Sequence, residues 1–189
     1  MDTLFPLEPL FPEGFTYEDG FITKDEELQL LKEISAIELH AFTFQGYEAR
    51  RRVASFGYDY SFDKGALLKG KAIPVAFEPL IRKVAEGLSL KVEDFAELLI
   101  TEYPAGSVIN WHRDAPPFDL IAGISLGADC LFRLRPYDEK KRDRRSVLSF
   151  PVRRCSLYVI RGAARTEWQH SIAPVQGSRY SITLRTLKS

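Results

Sequence analysis

Apolar residues along this chain follow one period before residue 97 and another after it. In the earlier part, "TKDEELQLLKEISAI" places Leu28, Leu31, Ile34 and Ile37 near helical spacing. Thr23 followed by Glu26 forms a capping box, which satisfies N–H groups left free at a helix start. A second helix is predicted from Pro74 to Leu88. Proline suits a first helical position, and Phe77, Ile81, Val84 and Leu88 line one side. Between them lies "HAFTFQGYEARRRVASFGYDYSF", whose alternation predicts a hairpin rich in aromatics and arginine.

From residue 97 onward, short apolar runs are separated by turn residues. "LLITEYP", "VINWH", "LIAGISL", "CLFRLR", "SVLSFPV", "CSLYVIRG", "WQHSIAPV" and "RYSITLRT" read as strands. Short strands at this spacing predict a mainly β, α+β fold: a sandwich or double-sheet jelly roll with the N-terminal helices packed on one sheet. "YDEKKRDRR" is too charged to bury and is expected to protrude as a loop.

Composition narrows the class. The 189 residues fit one domain, expected to span 1–189, and 45% hydrophobic content supplies a core. Formal net charge is zero, so any attraction to a polyanion must come from local patches. Cys130 and Cys155 lack C-x-x-C spacing and read as free thiols in a reducing cytoplasm. The start, "MDTLFPLEPLF", has no basic segment before an apolar run, and no span nears the ~20 apolar residues a membrane helix needs. A cytoplasmic protein without membrane contact, and a monomer, is expected.

The chain has three histidines. His112 and Asp114, in "YPAGSVINWHRDAPPF", are two apart and share a face if the segment is extended. A third ligand would come from His40 or His170. Two imidazoles and one carboxylate make the facial triad of non-haem iron oxygenases, with coordination positions left open. The pair by itself is equally compatible with a structural or surface role. The last strand adds a second clue. In "SRYSITLRT", Arg179, Ser181, Thr183 and Arg185 alternate with Tyr180, Ile182 and Leu184. Such a polar face meets either solvent or a buried anion, because an enclosed guanidinium requires a paired charge and its fork matches a carboxylate. A 2-oxo dicarboxylic acid offers two carboxylates, and Tyr103 is placed to bond the far one.

Together these segments resemble the AlkB family of Fe(II)/2-oxoglutarate dioxygenases. The shared elements, in order, are "ITEYPAGSVINWHRD", "EWQHSI", and Arg179 and Arg185 with five residues between them; the resemblance covers roughly residues 40 to 187. It implies a jelly-roll core over about 97–187 and a nucleotide-recognition lid over about 40–62. It also implies iron on His112, Asp114 and His170, with Arg179 and Tyr103 on the distal carboxylate of 2-oxoglutarate. Arg185 would lie near the metal and the cosubstrate's other carboxylate. Thr101 and Ser181 stand where the family often has asparagines that contact cosubstrate. The implied reaction uses Fe(II), O2 and 2-oxoglutarate, and it removes an N-linked methyl group from a base as formaldehyde.

For the substrate, the lid offers aromatics for stacking, Tyr58 and Tyr60 among them, and the run Arg50-Arg51-Arg52 for phosphates. Trp111 and Trp168 flank the expected ligands, and "KKRDRR" is a second cationic patch. The resemblance departs at Pro116, where the bacterial enzyme that names the family has a second acidic residue, so base recognition must differ. Segments such as "HRDAPPFDLIAGISLG" also resemble AlkB homologues acting on transfer RNA. Four readings follow. They are repair of alkylated single-stranded DNA or RNA, modification of a transfer-RNA base, oxidation of a protein or small molecule, and a metal-free binding module. His40 is expected to be structural or exposed.

Overall fold

In the chain's computed structural model, residues 11–44 and 46–189 are described. The N-terminal segment read for a leader therefore lies largely outside the described residues. The eight expected strands are all present: β5 (Phe95–Tyr103), β6 (Ile109–His112), β7 (Phe118–Leu126), β8 (Cys130–Pro136), β9 (Leu148–Val152), β10 (Ser156–Ile160), β11 (Trp168–Ile172) and β12 (Arg179–Leu187). They divide four and four. One sheet runs β6-β11-β8-β9; the other contains β10-β7-β12-β5 and is extended by β1 (Phe15–Glu18) at one edge. At its other edge it gains the hairpin β2 (His40–Phe44) and β3 (Tyr47–Ser61), with β4 (Ala66–Lys69) paired to β3. All pairings are antiparallel, which is the jelly-roll arrangement.

Two helices cover the outer face of the larger sheet. In α1 (Lys24–Ser35) the capping box forms as expected, with Thr23 N–H donating to Glu26 at 2.7 Å and Glu26 N–H to Thr23 Oγ1 at 3.1 Å. Its buried stripe is shifted from the expected one: Leu28 is 62% exposed, and Glu27, Leu30 and Ile34 face the sheet. Helix α2 (Glu78–Leu88) buries Leu80, Ile81 and Val84. Pro74 is not its first residue. It precedes a 3-10 turn over Val75–Phe77, and Pro79 sits in the first turn of the α-helix. The even-numbered apolar residues of β12 and β5, Ile182, Leu184, Leu98 and Ile100, meet these helices in one core. A third helix, α3 (Gly162–Thr166), follows β10.

The second core lies between the sheets. Phe15, Phe132, Phe150 and Tyr158 form a cluster with ring centroids 5.0 to 6.4 Å apart. Gly123 makes room for it: a Cβ there would lie 2.1 Å from the Tyr158 ring, its partner across β7 and β10. Gly57, at φ +84°, bends β3 where its pairing passes from β5 to β4, and a side chain there would strike the Ala96 carbonyl.

Glu27 ties α1 to the turns of the larger sheet. It is fully buried, accepts from the Gly127 N–H at 2.8 Å and pairs with Arg154. Burial pushes its carboxyl up, but the guanidinium and the N–H more than offset this, leaving it below the usual glutamate value. Arg154 is 46% exposed, so solvent screens part of the pair. A carboxyl depressed in the native state stabilises the fold above its unfolded pKa and loses that contribution as pH falls through the native value. Arg154→Ala is expected to lower unfolding free energy by about 2 kcal/mol near pH 7. The gap from the parent chain should narrow below about pH 4. Urea unfolding at both pH values checks this; a pH-independent gap would rule out the pairing as its source.

Candidate active site

Sheet register does the first step of assembly. His112 ends β6 and lies directly opposite His170 in β11, with ring centroids 4.2 Å apart. The His170 ring stacks on Phe132 in the core, nearly parallel at 5.5 Å. Asp114 lies beyond the end of β6, so strand alternation alone does not bring it in. A guanidinium holds it there: Arg165 Nη2, from α3, donates to the carbonyls of Asp114, Ala115 and Phe118 at 3.0, 2.7 and 3.0 Å. Donor atoms of His112, Asp114 and His170 then lie within 4.8 Å of one another, close enough to share one ion. His40 is exposed on β2 and takes no part.

The protonation states suit a divalent cation. Burial lowers the pKa of both imidazoles, that of His170 to about 3, so each is neutral and has a lone pair to offer. His112 Nδ1 lies 2.8 Å from the Asn110 carbonyl, so its N–H points there and Nε2 is left for the metal. Burial alone would raise Asp114; Arg185 beside it, together with His170, His112 and Arg165, outweighs this, and the carboxyl stays ionised well below its usual range.

The polar face of β12 turns inward. Arg179 is 0% exposed, and Ser181 and Thr183 are buried with it, so the solvent-facing alternative fails. Arg185 donates to Asp114 Oδ1 at 2.7 Å and to Glu97 Oε2 at 2.6 Å. Glu97 also accepts from Ser55 at 3.0 Å. Arg179 Nε donates to Ser125 Oγ at 3.0 Å, but its Nη1 and Nη2 have no hydrogen-bond partner. The guanidinium lies 4.8 Å over the ring of Tyr103, its register partner on β5. A fully buried guanidinium with its fork unpaired calls for an anion, and a carboxylate fits that fork. Thr101 and Ser181 face each other across β5 and β12, buried on the same inner side.

The expected substrate residues separate. Arg52 lies opposite Glu102 and pairs with it on the helix-facing side, while Arg51 shares the inner face and stacks 4.0 Å over Phe42. Burial lowers the Arg51 pKa, and the nearby Tyr103 partly offsets this. Arg50 is exposed and reaches the backbone at Gly106. Tyr60 packs against the inter-sheet core and Phe62, whereas Tyr58 lines an outer cleft with Lys69, Lys71 and Phe95. Trp168 is on the inner side with His170, against the core. Trp111 is on the reverse side of the smaller sheet, under Arg133 and Arg135, and so does not shape the pocket.

Three residues of this site escaped the sequence reading. Glu97 interrupts an apolar strand in phase with Thr101 and Tyr103, and that phase was a usable signal. Tyr158, buried close enough to Tyr103, Arg179 and Asp114 to feel their charge, reads as one more apolar residue in "SLYVIRG". Arg165 looks no different from its neighbour Arg161; only the fold shows it buried.

A family model described as the 2OG-Fe(II) oxygenase superfamily matches residues 14–185, and the chain belongs to that superfamily. Within it, the proteins this chain is similar to include AlkB homologues. The chain is 27% identical over 175 residues to the Xenopus tropicalis protein named tRNA (carboxymethyluridine(34)-5-O)-methyltransferase alkbh8, a match that covers 89% of this chain and 26% of that protein. It is also 27% identical to an uncharacterized protein, L905, of Acanthamoeba polyphaga mimivirus, with 92% and 85% covered. The chain thus spans about a quarter of the ALKBH8 relatives it matches. Among solved structures, OsALKBH1 superposes with a TM-score of 0.73 at 14% identity, covering 96% of this chain and all of that one. A Pseudomonas putida prolyl-4-hydroxylase gives 0.63 at 17%, with 93% of each covered. These structures share the fold.

His112→Ala and Asp114→Ala are expected to abolish iron-dependent succinate formation while melting within a few degrees of the parent. Succinate yield at the parent's rate in both would remove these side chains as ligands. Arg179→Ala should raise the 2-oxoglutarate requirement by roughly ten- to hundredfold, since hydrogen bonds to a charged group contribute about 1.5–3 kcal/mol. Cosubstrate titration of the uncoupled reaction reads this directly.

Proposed function

We propose that this chain oxidatively removes alkyl groups from bases of single-stranded DNA or RNA. The observation that carries the reading is the joint placement of two histidines and an aspartate beside a buried, unpaired Arg179 fork. Iron bound with 2-oxoglutarate supplies activation of dioxygen and oxidation of an unreactive C–H bond, with release of succinate and carbon dioxide. His112, Asp114 and His170 would hold the metal, and Arg185 would keep the Asp114 carboxylate ionised and fixed. Arg179 and Tyr103 would grip the distal carboxylate of the cosubstrate, with Thr101 and Ser181 lining its bed. A methyl group on a ring nitrogen, once hydroxylated, leaves as formaldehyde.

The described residues act in this reading as one AlkB-like unit, with the segment 40–62 as its lid. Arg51, the arginine of the run that faces inward, is the residue best placed to meet the substrate, and Arg52 is better assigned to its ion pair with Glu102. The buried free thiols Cys130 and Cys155 suit a reducing cytoplasm. No helix among the described residues is long and apolar enough to cross a membrane. We take the chain to work as a monomer.

The likeness to proteins named as tRNA methyltransferases supports a second reading, in which a transfer-RNA base is hydroxylated or demethylated. Formaldehyde release across methylated DNA and RNA oligonucleotides and bulk transfer RNA separates the two. Release from the oligonucleotides is expected under the first. Turnover confined to transfer RNA would establish the second. Succinate formation indifferent to every nucleic acid would remove both and favour a protein or small-molecule substrate.

A further inference from the structure

The reverse face of the smaller sheet carries a concentration of positive charge that the site does not use. Strands β6, β11, β8 and β9 read INWH, WQHSI, CLFRLRP and LSFPV, without one Asp or Glu. In a chain with 26 acidic and 26 basic residues, such a face stands apart from the average surface. His112, His170, Phe132 and Leu134 turn toward the core, so Trp111, Gln169, Ser171, Arg133 and Arg135 turn away from it.

Those outward residues are organised. Arg135 and Arg133 lie over the Trp111 ring with their guanidinium carbons 4.4 and 5.2 Å from its centroid. Their Nε atoms donate to neutral acceptors, Gln169 Oε1 at 2.9 Å and Ser171 Oγ at 3.0 Å. Arg142, from the loop after β8, donates to the same Gln169 oxygen at 3.3 Å and to the Pro136 carbonyl at 3.0 Å. Two guanidiniums therefore share one uncharged acceptor, and the nearby carboxylate, Glu139, is 88% exposed and bonds Arg142 alone. Arg113 continues the row, stacked 3.7 Å over Tyr137. The planar stacks fix Arg133 and Arg135 at little entropic cost while their terminal N–H groups stay available, whereas Arg142 is held through its own Nη groups by Glu139, the Tyr137 carbonyl and Gln169.

We infer that this ledge, Trp111 with Arg133 and Arg135, grips the phosphate backbone of a polynucleotide outside the base being modified. The inference rests on the nucleic-acid reading given above and extends it to the reverse side of the ligand-bearing strands. Charge complementarity selects the occupant. Side chains two apart on β8 project about 7 Å from one another, a repeat suited to successive charges on an extended polyanion. Fixed guanidinium forks match phosphate oxygens. Leu131, 45% exposed, is the large apolar side chain among these outward positions, too little apolar area for a lipid surface. Trp111 and Gln169 are the immediate chain neighbours of His112 and His170. A long or folded nucleic acid therefore reaches both sides of β6, the edge strand, and a short oligonucleotide reaches one.

The test compares the parent with R133Q/R135Q and R133K/R135K, using bulk transfer RNA and a methylated trinucleotide as probes across a salt series. For R133Q/R135Q, transfer-RNA affinity should fall about tenfold or more. The slope of log affinity against log salt should drop by about 1.4, near 0.7 per lost single-strand phosphate contact. Oxidation of the trinucleotide should be unchanged, which also shows that the variant folds. R133K/R135K should recover part of the affinity and all of the salt slope. Unchanged transfer-RNA binding in the glutamine variant would overturn the ledge and leave the proposed activity standing. A parent that binds no polynucleotide yet oxidises the trinucleotide would overturn the ledge as well. A parent inactive on both probes and binding neither would remove the ledge and the nucleic-acid reading together. Binding to anionic vesicles in place of RNA would replace this partner with a membrane.

Discussion

A guanidinium enclosed between two carboxylates holds this site in shape. Arg185, on the larger sheet, bonds Glu97 on the adjacent strand and Asp114 in the loop that leads out of β6 of the smaller sheet. Neither Glu97 nor Arg185 could be buried alone, because an unpaired charge in such an interior costs several kcal/mol. Burial pushes Glu97 up and, by itself, would lower Arg185; the two carboxylates reverse that for the cation. The pairing settles the charge of Asp114 and its position at once. It also links the two sheets at the point where chemistry is expected.

The rest of the slot follows the same logic with one member left open. Arg179 is as deeply buried as any residue of the core, yet only its Nε has a partner. The protein neutralises Arg185 with its own acids and leaves the Arg179 fork unpaired, the position proposed above for the cosubstrate's distal carboxylate. The buried aromatics Tyr103, Tyr158 and Phe132 belong to the inter-sheet core on this side, and a low-dielectric surrounding strengthens charge interactions. The ledge on the reverse face uses the opposite strategy. Arg133 and Arg135 there are half-exposed, held by stacking and neutral acceptors, and placed where no carboxylate in the sheet competes.

Much of this was legible before any coordinates. The strands announced themselves because each is short, apolar and bounded by turn residues, and β12 announced its two faces through strict alternation. His112 and His170 could be paired because the chain has so few histidines and the resemblance supplied their order. The helix stripe of α1 was misphased by one residue, since Glu27 occupies a core position that hydropathy reserves for an apolar side chain. Its partners Arg154 and the Gly127 N–H, each a hundred residues or more away, make that tolerable. Trp111 was assigned to the pocket from its place beside His112. Adjacent residues on a strand point to opposite faces, and that alternation puts it outside.

By itself, then, the sequence determined the periodicity, the antiparallel strand set and the kinds of donor available, because these depend on neighbours a few residues apart. It could not determine which charges are paired. That outcome needed the fold, which sets Glu97 against Arg185, Arg165 against the loop carrying Asp114, and Arg52 against Glu102. Coulomb energy in a low-dielectric interior depends on distances of a few ångströms in space. Separation along the chain carries no record of them.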